Sequence, residues 1–145
     1  MRLGRVKVSG GFLLLLAWLN YTDTQGLIPL AVLSCALHEA GHWLAIQAVG
    51  GEVTGLRLGI AGASMELGRP LSYGAEILCA LAGPGVSLAL SWVGSILPGG
   101  ALFAGINLVL AAFNLLPVSG LDGGRALHCA LCALCGPEAA ERAAG

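Results

Sequence analysis

The chain has 145 residues, of which 57% are hydrophobic and 10% charged, and its net charge at neutral pH is −1. Soluble domains carry about 25% charged residues, so this composition cannot cover a water-facing surface and predicts a membrane protein with one domain, residues 1–145. The chain has no basic patch interleaved with aromatic side chains, so a nucleic-acid partner is not expected.

The first half of the chain predicts two membrane helices joined by a polar turn. A basic N-terminal segment precedes an apolar one, and no small-residue cleavage site follows it. We therefore predict an uncleaved first span over residues 8–21. Residues 22–26 form the turn, and residues 27–49 form a second span of about 34 Å, long enough to cross a bilayer.

The second half predicts two further spans and one polar connection. Apolar and polar residues alternate over 53–60 and 64–67, which favours a β-hairpin over an irregular glycine-rich loop. The third span covers residues 74–97 and should kink at Pro84. The fourth covers 101–116 and stops at Pro117, before a glycine-rich bend over 118–125. The apolar stretch 126–135 is too short to span and should be half-inserted or packed on the bundle.

These elements predict an all-α polytopic membrane protein with about four transmembrane helices, a small hairpin or loop and a short C-terminal half-helix. The basic residues all fall at the N-terminus, in the long connection or in the C-terminal segment: Arg2, Arg5, Lys7, Arg57, Arg69, Arg125 and Arg142. With four spans these segments share one side of the membrane. The positive-inside rule makes that side cytoplasmic, so both termini and the hairpin are expected there.

One motif in the second predicted span carries chemistry. Residues 38–42 form an H-E-x-x-H pentad, and on a helix His38 and His42 stand one turn apart on the same face. Glu39 projects about 100° around from His38, so it can touch a water without being a ligand. Two imidazoles, a carboxylate base and an open coordination position are what a zinc hydrolase needs. The alternative is a pair of core histidines, but ionisable residues inside membrane helices usually serve a function.

Catalytic zinc usually takes three protein ligands, so a third is expected elsewhere in the chain. Asp122 lies on the glycine-rich bend at the depth predicted for the two histidines. We favour it over His128, and the alternative for Asp122 is a cap or turn residue. A second metal site at Cys129, Cys132 and Cys135 is less favoured, because residues three apart drift around a helix instead of converging.

Two motifs together resemble the site-2 protease family of intramembrane zinc metalloproteases. The H-E-x-x-H pentad is paired with N-x-x-P-x-x-x-L-D-G over residues 114–123, and residues 82–84 resemble the family's central A-G-P element. The resemblance is closest to the compact group of the bacterial stage IV sporulation protein FB. It implies the bacterial cytoplasmic membrane as the location and leaves a link to sporulation open.

By this resemblance, one zinc ion is bound by His38, His42 and Asp122, and Glu39 is the general base. The residues implied to support the substrate or the transition state are Asn114, Pro117 and Gly123. The connection 52–67 matches the family's membrane-associated strand, to which an unwound substrate segment can add. Ser87 departs from the asparagine of many members, a change expected to affect only an accessory contact.

The function predicted from sequence is a zinc-dependent intramembrane endopeptidase. Its substrate would be a membrane-spanning or membrane-tethered protein, such as a tethered regulator, and an inhibitory or activating membrane partner is left open. One alternative is an inactive membrane module that binds a partner, but such a module has no use for Glu39. Another is a small metal transporter, which would repeat its ligands along several spans instead of converging them on one site.

Overall fold

The computed structural model describes residues 5–59 and 62–136, and these form five helices and three strands. In chain order the elements are β1 (Arg5–Val8), α1 (Gly10–Thr22), α2 (Leu27–Ala48), β2 (Val53–Gly59), β3 (Gly62–Leu67), α3 (Tyr73–Ile96), α4 (Ala101–Asn114) and α5 (Asp122–Cys135). The predominantly helical class is therefore confirmed. The segment after Gly136 lies outside the described residues.

Two of these helices are long and apolar enough to cross a bilayer, judged by length and composition. They are α2, with 22 residues, and α3, with 24. Helices α1 and α4 have 13 and 14 residues, so each is about 20 Å long and shorter than a hydrocarbon core of about 30 Å. Four transmembrane spans therefore stay a prediction. Helix α4 ends at Asn114, and Pro117 disfavours helical backbone at Leu116, the residue directly before it.

The strands form one small sheet in the order β1-β2-β3. β2 and β3 pair antiparallel, from Val53 opposite Leu67 to Gly59 opposite Gly62, which confirms the predicted hairpin. β1 runs parallel to β2 and was not predicted, because its basic residues were interpreted only as the flank of a membrane helix. With β2 in the middle, β3 forms one edge of the sheet.

Helix α3 is the centre of the bundle and packs against α2, α4 and α5. It contacts α2 closely at Gly41, where a Cβ atom would come within 2.8 Å of Val86 Cγ2. A second contact is polar: fully buried Asn107 on α4 donates through Nδ2 to Ser34 Oγ on α2 at 3.0 Å. Such interhelical hydrogen bonds hold helices together where lipid provides no hydrophobic driving force.

Two predicted irregularities lie near the bundle centre. Pro84 is fully buried inside α3, which is one helix from Tyr73 to Ile96, and the kink expected at this proline stays a prediction. Asp122 was expected on a bend, and it is instead the first residue of α5. The chain reverses just before it, where Gly120 has a φ of +97°, a conformation that favours glycine. The N-terminus of α5 therefore positions the Asp122 carboxylate.

Asp23 is the first residue of the turn between α1 and α2. Its two carboxylate oxygens accept hydrogen bonds from the backbone N–H groups of Ile28 at 2.8 Å and Gln25 at 3.1 Å. The bond from Ile28 is the main reason why the pKa of Asp23 lies below its ordinary value. Because Gly26 at the N-cap has no side chain to bond the first turn, Asp23 supplies an acceptor from three residues upstream.

Candidate metal centre

Helix α2 presents the two histidines of the H-E-x-x-H motif on its buried face. His38 and His42 are one turn apart, and their Nε2 atoms lie 3.2 Å from each other. The rings meet edge to face, with centroids 4.8 Å apart. The helical spacing thus directs both imidazoles to one point.

Asp122 brings a third ligand atom to that point from α5. Its Oδ2 atom lies 3.1 Å from the Nε2 atom of His38 and 3.1 Å from that of His42. Two ligand atoms bound to one tetrahedral zinc at about 2.0–2.1 Å are about 3.3 Å apart. The triangle of ligand atoms therefore fits one zinc ion, which His38, His42 and Asp122 would hold.

The other ring nitrogen of each histidine is occupied by a neutral group on α3. His38 Nδ1 lies 2.9 Å from Ser87 Oγ, and His42 Nδ1 lies 2.7 Å from the carbonyl oxygen of Cys79. The Cys79 carbonyl can only accept, so His42 carries its hydrogen on Nδ1 and leaves Nε2 free as a ligand. Such partners orient metal-binding histidines in many proteins.

Gly83 of α3 lies directly beneath the ligand triangle. A Cβ atom at this position would collide with His42 Nε2 and would lie 2.7 Å from His38 Nε2. The space that a zinc ion would need is thus available only because residue 83 has no side chain. The A-G-P element therefore contributes to the metal centre through the missing side chain of its glycine.

We expect Gly83→Ala to abolish zinc binding, since the new methyl group would displace both imidazoles. Gly85→Ala is the matched control on the same helix. A Cβ atom at residue 85 would meet nothing within 4 Å. The measurement is zinc content per chain in both purified variants. Full zinc content in Gly83→Ala would contradict the position of Gly83 beneath the metal.

A cavity of about 710 Å³ opens beside the three ligands. Its walls come from α2, β3, the 117–121 loop and α5, and most of the side chains are aliphatic, including Ile46, Leu67 and Leu131. Glu39 lines the same cavity, and within the described residues its carboxylate has no hydrogen-bond partner. A free carboxylate in a mostly apolar cavity next to a ligand triangle can exchange a proton with a group bound there.

The remaining predicted site residues occupy different places. Pro117 lines the cavity. Asn114 donates through Nδ2 to the carbonyl oxygen of Leu110 at 2.9 Å, and it is not among the cavity-lining residues in the described chain. Gly123 lets the start of α5 lie against the Leu115 carbonyl, which a Cβ atom would contact. The substrate roles of these three residues stay predictions.

His128, the other candidate third ligand, lies in the cavity but apart from the triangle. Its Nε2 atom contacts Cys132 Sγ at 3.6 Å, while Cys129 Sγ donates to Glu76 Oε2 at 3.2 Å. Among the described residues, His38, His42 and Asp122 are the one group of three or more metal-ligating side chains that converge. The cysteine run therefore forms no second cluster there.

Ser87 and Gly83 lie closer to this centre than their sequence context predicted. Ser87 was expected to make only an accessory contact, but it is hydrogen-bonded to a proposed ligand. Gly83 was noted only for its resemblance to a family element. Both follow from one feature of the sequence: residues 83 and 87 are one turn apart, so they share the face of α3 that packs on α2. That face could be identified only after the packing of the two helices was known.

No protein-family model matches the chain. A protein named "Putative zinc metalloprotease sll0528" from Synechocystis sp. is 40% identical over 119 residues, covering 70% of this chain and 31% of that protein. "Putative zinc metalloprotease Rip3" from Mycobacterium tuberculosis is 29% identical over 126 residues, covering 81% of this chain and 30% of that protein. The chain thus spans under a third of either relative.

The fold is similar to that of the site-2 protease from Methanocaldococcus jannaschii. The match has a TM-score of 0.75 and 24% identity, and it covers 99% of this chain and 75% of that one. This likeness concerns the fold, and both relatives are named as zinc metalloproteases. The family that the matches support is the site-2 protease family, the one that the two sequence motifs resemble. The sporulation protein FB group within it stays a prediction.

Proposed function

We propose that this chain is a zinc-dependent intramembrane endopeptidase that cleaves membrane-spanning or membrane-tethered proteins. The observation that supports this most strongly is the convergence of His38, His42 and Asp122 with 3.1–3.2 Å between their ligand atoms, beside the free carboxylate of Glu39. Three ligands with one open position are typical of catalytic zinc, whereas structural zinc sites are closed by a fourth protein ligand.

The zinc ion, Glu39 and the cavity wall would each have a different role in the reaction. A bound zinc ion would supply a Lewis acid that lowers the pKa of a water and polarises the scissile carbonyl. Glu39 would accept the proton of the attacking water and deliver it to the leaving amine, as a general base that then acts as a general acid. Ile46, Leu127 and other aliphatic residues of the cavity wall would limit competing water.

The cavity also suggests how a peptide would reach the metal. Met65 and Leu67 of β3 line it, and β3 is an edge strand of the sheet. An unwound substrate segment could pair with this edge through backbone hydrogen bonds and pass the ligand triangle in an extended conformation. Extended backbone exposes the scissile bond, which helical backbone does not, so a transmembrane substrate would have to unwind first.

The surface of the bundle supports a membrane setting. Trp18, Trp92 and Val109 are each 68% exposed, on three different helices. Large apolar side chains exposed on several helices are unfavourable in water and suit lipid. We therefore extend the proposal to an integral membrane protein with four spans and both termini in the cytoplasm. The membrane would be a bacterial cytoplasmic membrane, as the family resemblance implies.

The proposal is tested by zinc content and cleavage measured together. The purified protein should hold one tightly bound zinc per chain, and its co-expression with membrane-tethered regulators should convert one of them to a shorter fragment. Removal of zinc by a chelator should stop cleavage, and readdition should restore it. A binding module without enzymatic activity would retain its partner uncleaved, and that result would overturn the proposal.

The orientation is tested by labelling of single cysteines. Thr24 lies in the turn between α1 and α2, and Arg69 follows β3; both are exposed. In a background with Cys35 and Cys135 replaced by alanine, Thr24→Cys should react with an impermeant thiol reagent from outside the cell. Arg69→Cys should react only after permeabilisation, since the positive-inside rule places it in the cytoplasm. Labelling of both from one side would rule out the proposed topology.

A further inference from the structure

We propose that Ser87 is a positioning residue that holds His38 ready for the metal, an inference that rests on the proposed zinc site. Ser87 Oγ lies 2.9 Å from His38 Nδ1, and both side chains are buried. The two residues are 49 positions apart in the chain, so the contact is created by the packing of α3 on α2. In the part of the chain that the structure describes, Ser87 is not among the residues that line the cavity.

Ser87 can satisfy the hydrogen that His38 carries when it binds a metal. A neutral imidazole carries one hydrogen, on either Nδ1 or Nε2. In the tautomer whose Nε2 is free to bind the metal, the hydrogen is on Nδ1, and Ser87 Oγ can accept a hydrogen bond from this buried group. Without an acceptor the buried Nδ1–H would lose a hydrogen bond, which makes this tautomer less favourable.

Ser87 also helps to fix the orientation of the His38 ring. His38 Nε2 must stay about 3 Å from both His42 Nε2 and Asp122 Oδ2 for one ion to reach all three. Below the ring, Gly83 leaves room instead of providing a contact that would hold it. The hydrogen bond from Nδ1 to Ser87 is therefore the polar contact that fixes the ring from the side opposite the metal.

The partner of His38 also affects the charge of the proposed ligand set. Ser87 and the Cys79 carbonyl are both neutral, so among the described residues Asp122 is the one anionic member of the three proposed ligands and their hydrogen-bond partners on α3. A divalent ion in this set would keep a net positive charge, which strengthens its attraction for electrons of water or a carbonyl. A carboxylate partner at residue 87 would make His38 a more basic ligand and reduce that charge.

The decisive comparison is between Ser87→Thr and Ser87→Val. The two variants have nearly the same volume and shape, and only threonine keeps the hydroxyl group. We expect the valine variant to bind zinc about 10–100-fold more weakly than the threonine variant, the range found for outer partners of metal-binding histidines. Zinc affinity is measured by competition with a chelator. The visible spectrum of the cobalt-substituted protein reports ligand geometry independently of activity.

Ser87→Ala is a smaller change that tests the same contact if the threonine and valine variants misfold. Ser87→Ala and Ser34→Ala each remove one oxygen from a fully buried serine, but Ser34 contacts Asn107 instead of a histidine. Only Ser87→Ala should weaken zinc binding and change the cobalt spectrum. The role of Ser87 would be overturned if Ser87→Val had the same zinc affinity and cobalt spectrum as Ser87→Thr, and Ser87→Ala the same as Ser34→Ala. Absence of zinc from the wild-type protein would instead overturn the proposed zinc site itself.

Discussion

Glu39→Gln is expected to lower the cleavage rate by about 10²–10⁴-fold, the range typical for the loss of a general base. The glutamine amide has nearly the same shape as the carboxylate, but it cannot accept the proton of the attacking water. Glu39 lies in the cavity beside the ligand triangle and is not one of its three members. Zinc content and fold should therefore be those of the wild-type protein.

The measurement is the rate of fragment formation from a tethered substrate, together with zinc content per chain. Glu52→Gln is the matched control, because Glu52 is exposed and does not line the cavity. It makes the same chemical change outside the site, and its cleavage rate should stay within about twofold of wild type. Loss of zinc from Glu39→Gln would show that Glu39 is a ligand and would contradict the role proposed for it.

Asp122→Asn is expected to remove most of the bound zinc and, with it, all cleavage. The substitution keeps the shape of the side chain but replaces the anionic oxygen that lies 3.1 Å from both histidine nitrogens. A neutral amide binds zinc poorly, and it no longer offsets the charge of the ion where little water is present. The loss of affinity should exceed the 10–100-fold typical of outer-partner substitutions.

His128→Ala provides the contrast for Asp122→Asn. His128 lies six residues further along α5, in the same cavity, and its Nε2 atom contacts Cys132 instead of the ligand triangle. Its removal should leave the zinc content near that of the wild type. The reverse pattern, with zinc lost from His128→Ala and kept in Asp122→Asn, would transfer the third ligand to His128.

Several features of the fold could be predicted because they depend on neighbours in the sequence. Apolar runs gave the approximate positions of α1 to α4, and alternation gave the hairpin of β2 and β3. Helix ends were less predictable: α4 is two residues shorter than expected, and α5 begins at Asp122 instead of residue 126. End positions depend on how the turn packs, and β1 depends on pairing with a strand about 50 residues away.

For the metal centre, the sequence by itself determined the pair His38 and His42 with Glu39 beside them, because their spacing on one helix follows from 3.6 residues per turn. It favoured Asp122 as a third partner. Only the tertiary structure decided that Ser87 and the Cys79 carbonyl hold the two rings and that Gly83 makes room beneath them. These contacts join α2 to α3, and which faces of two apolar helices meet is determined by side-chain packing across the whole bundle.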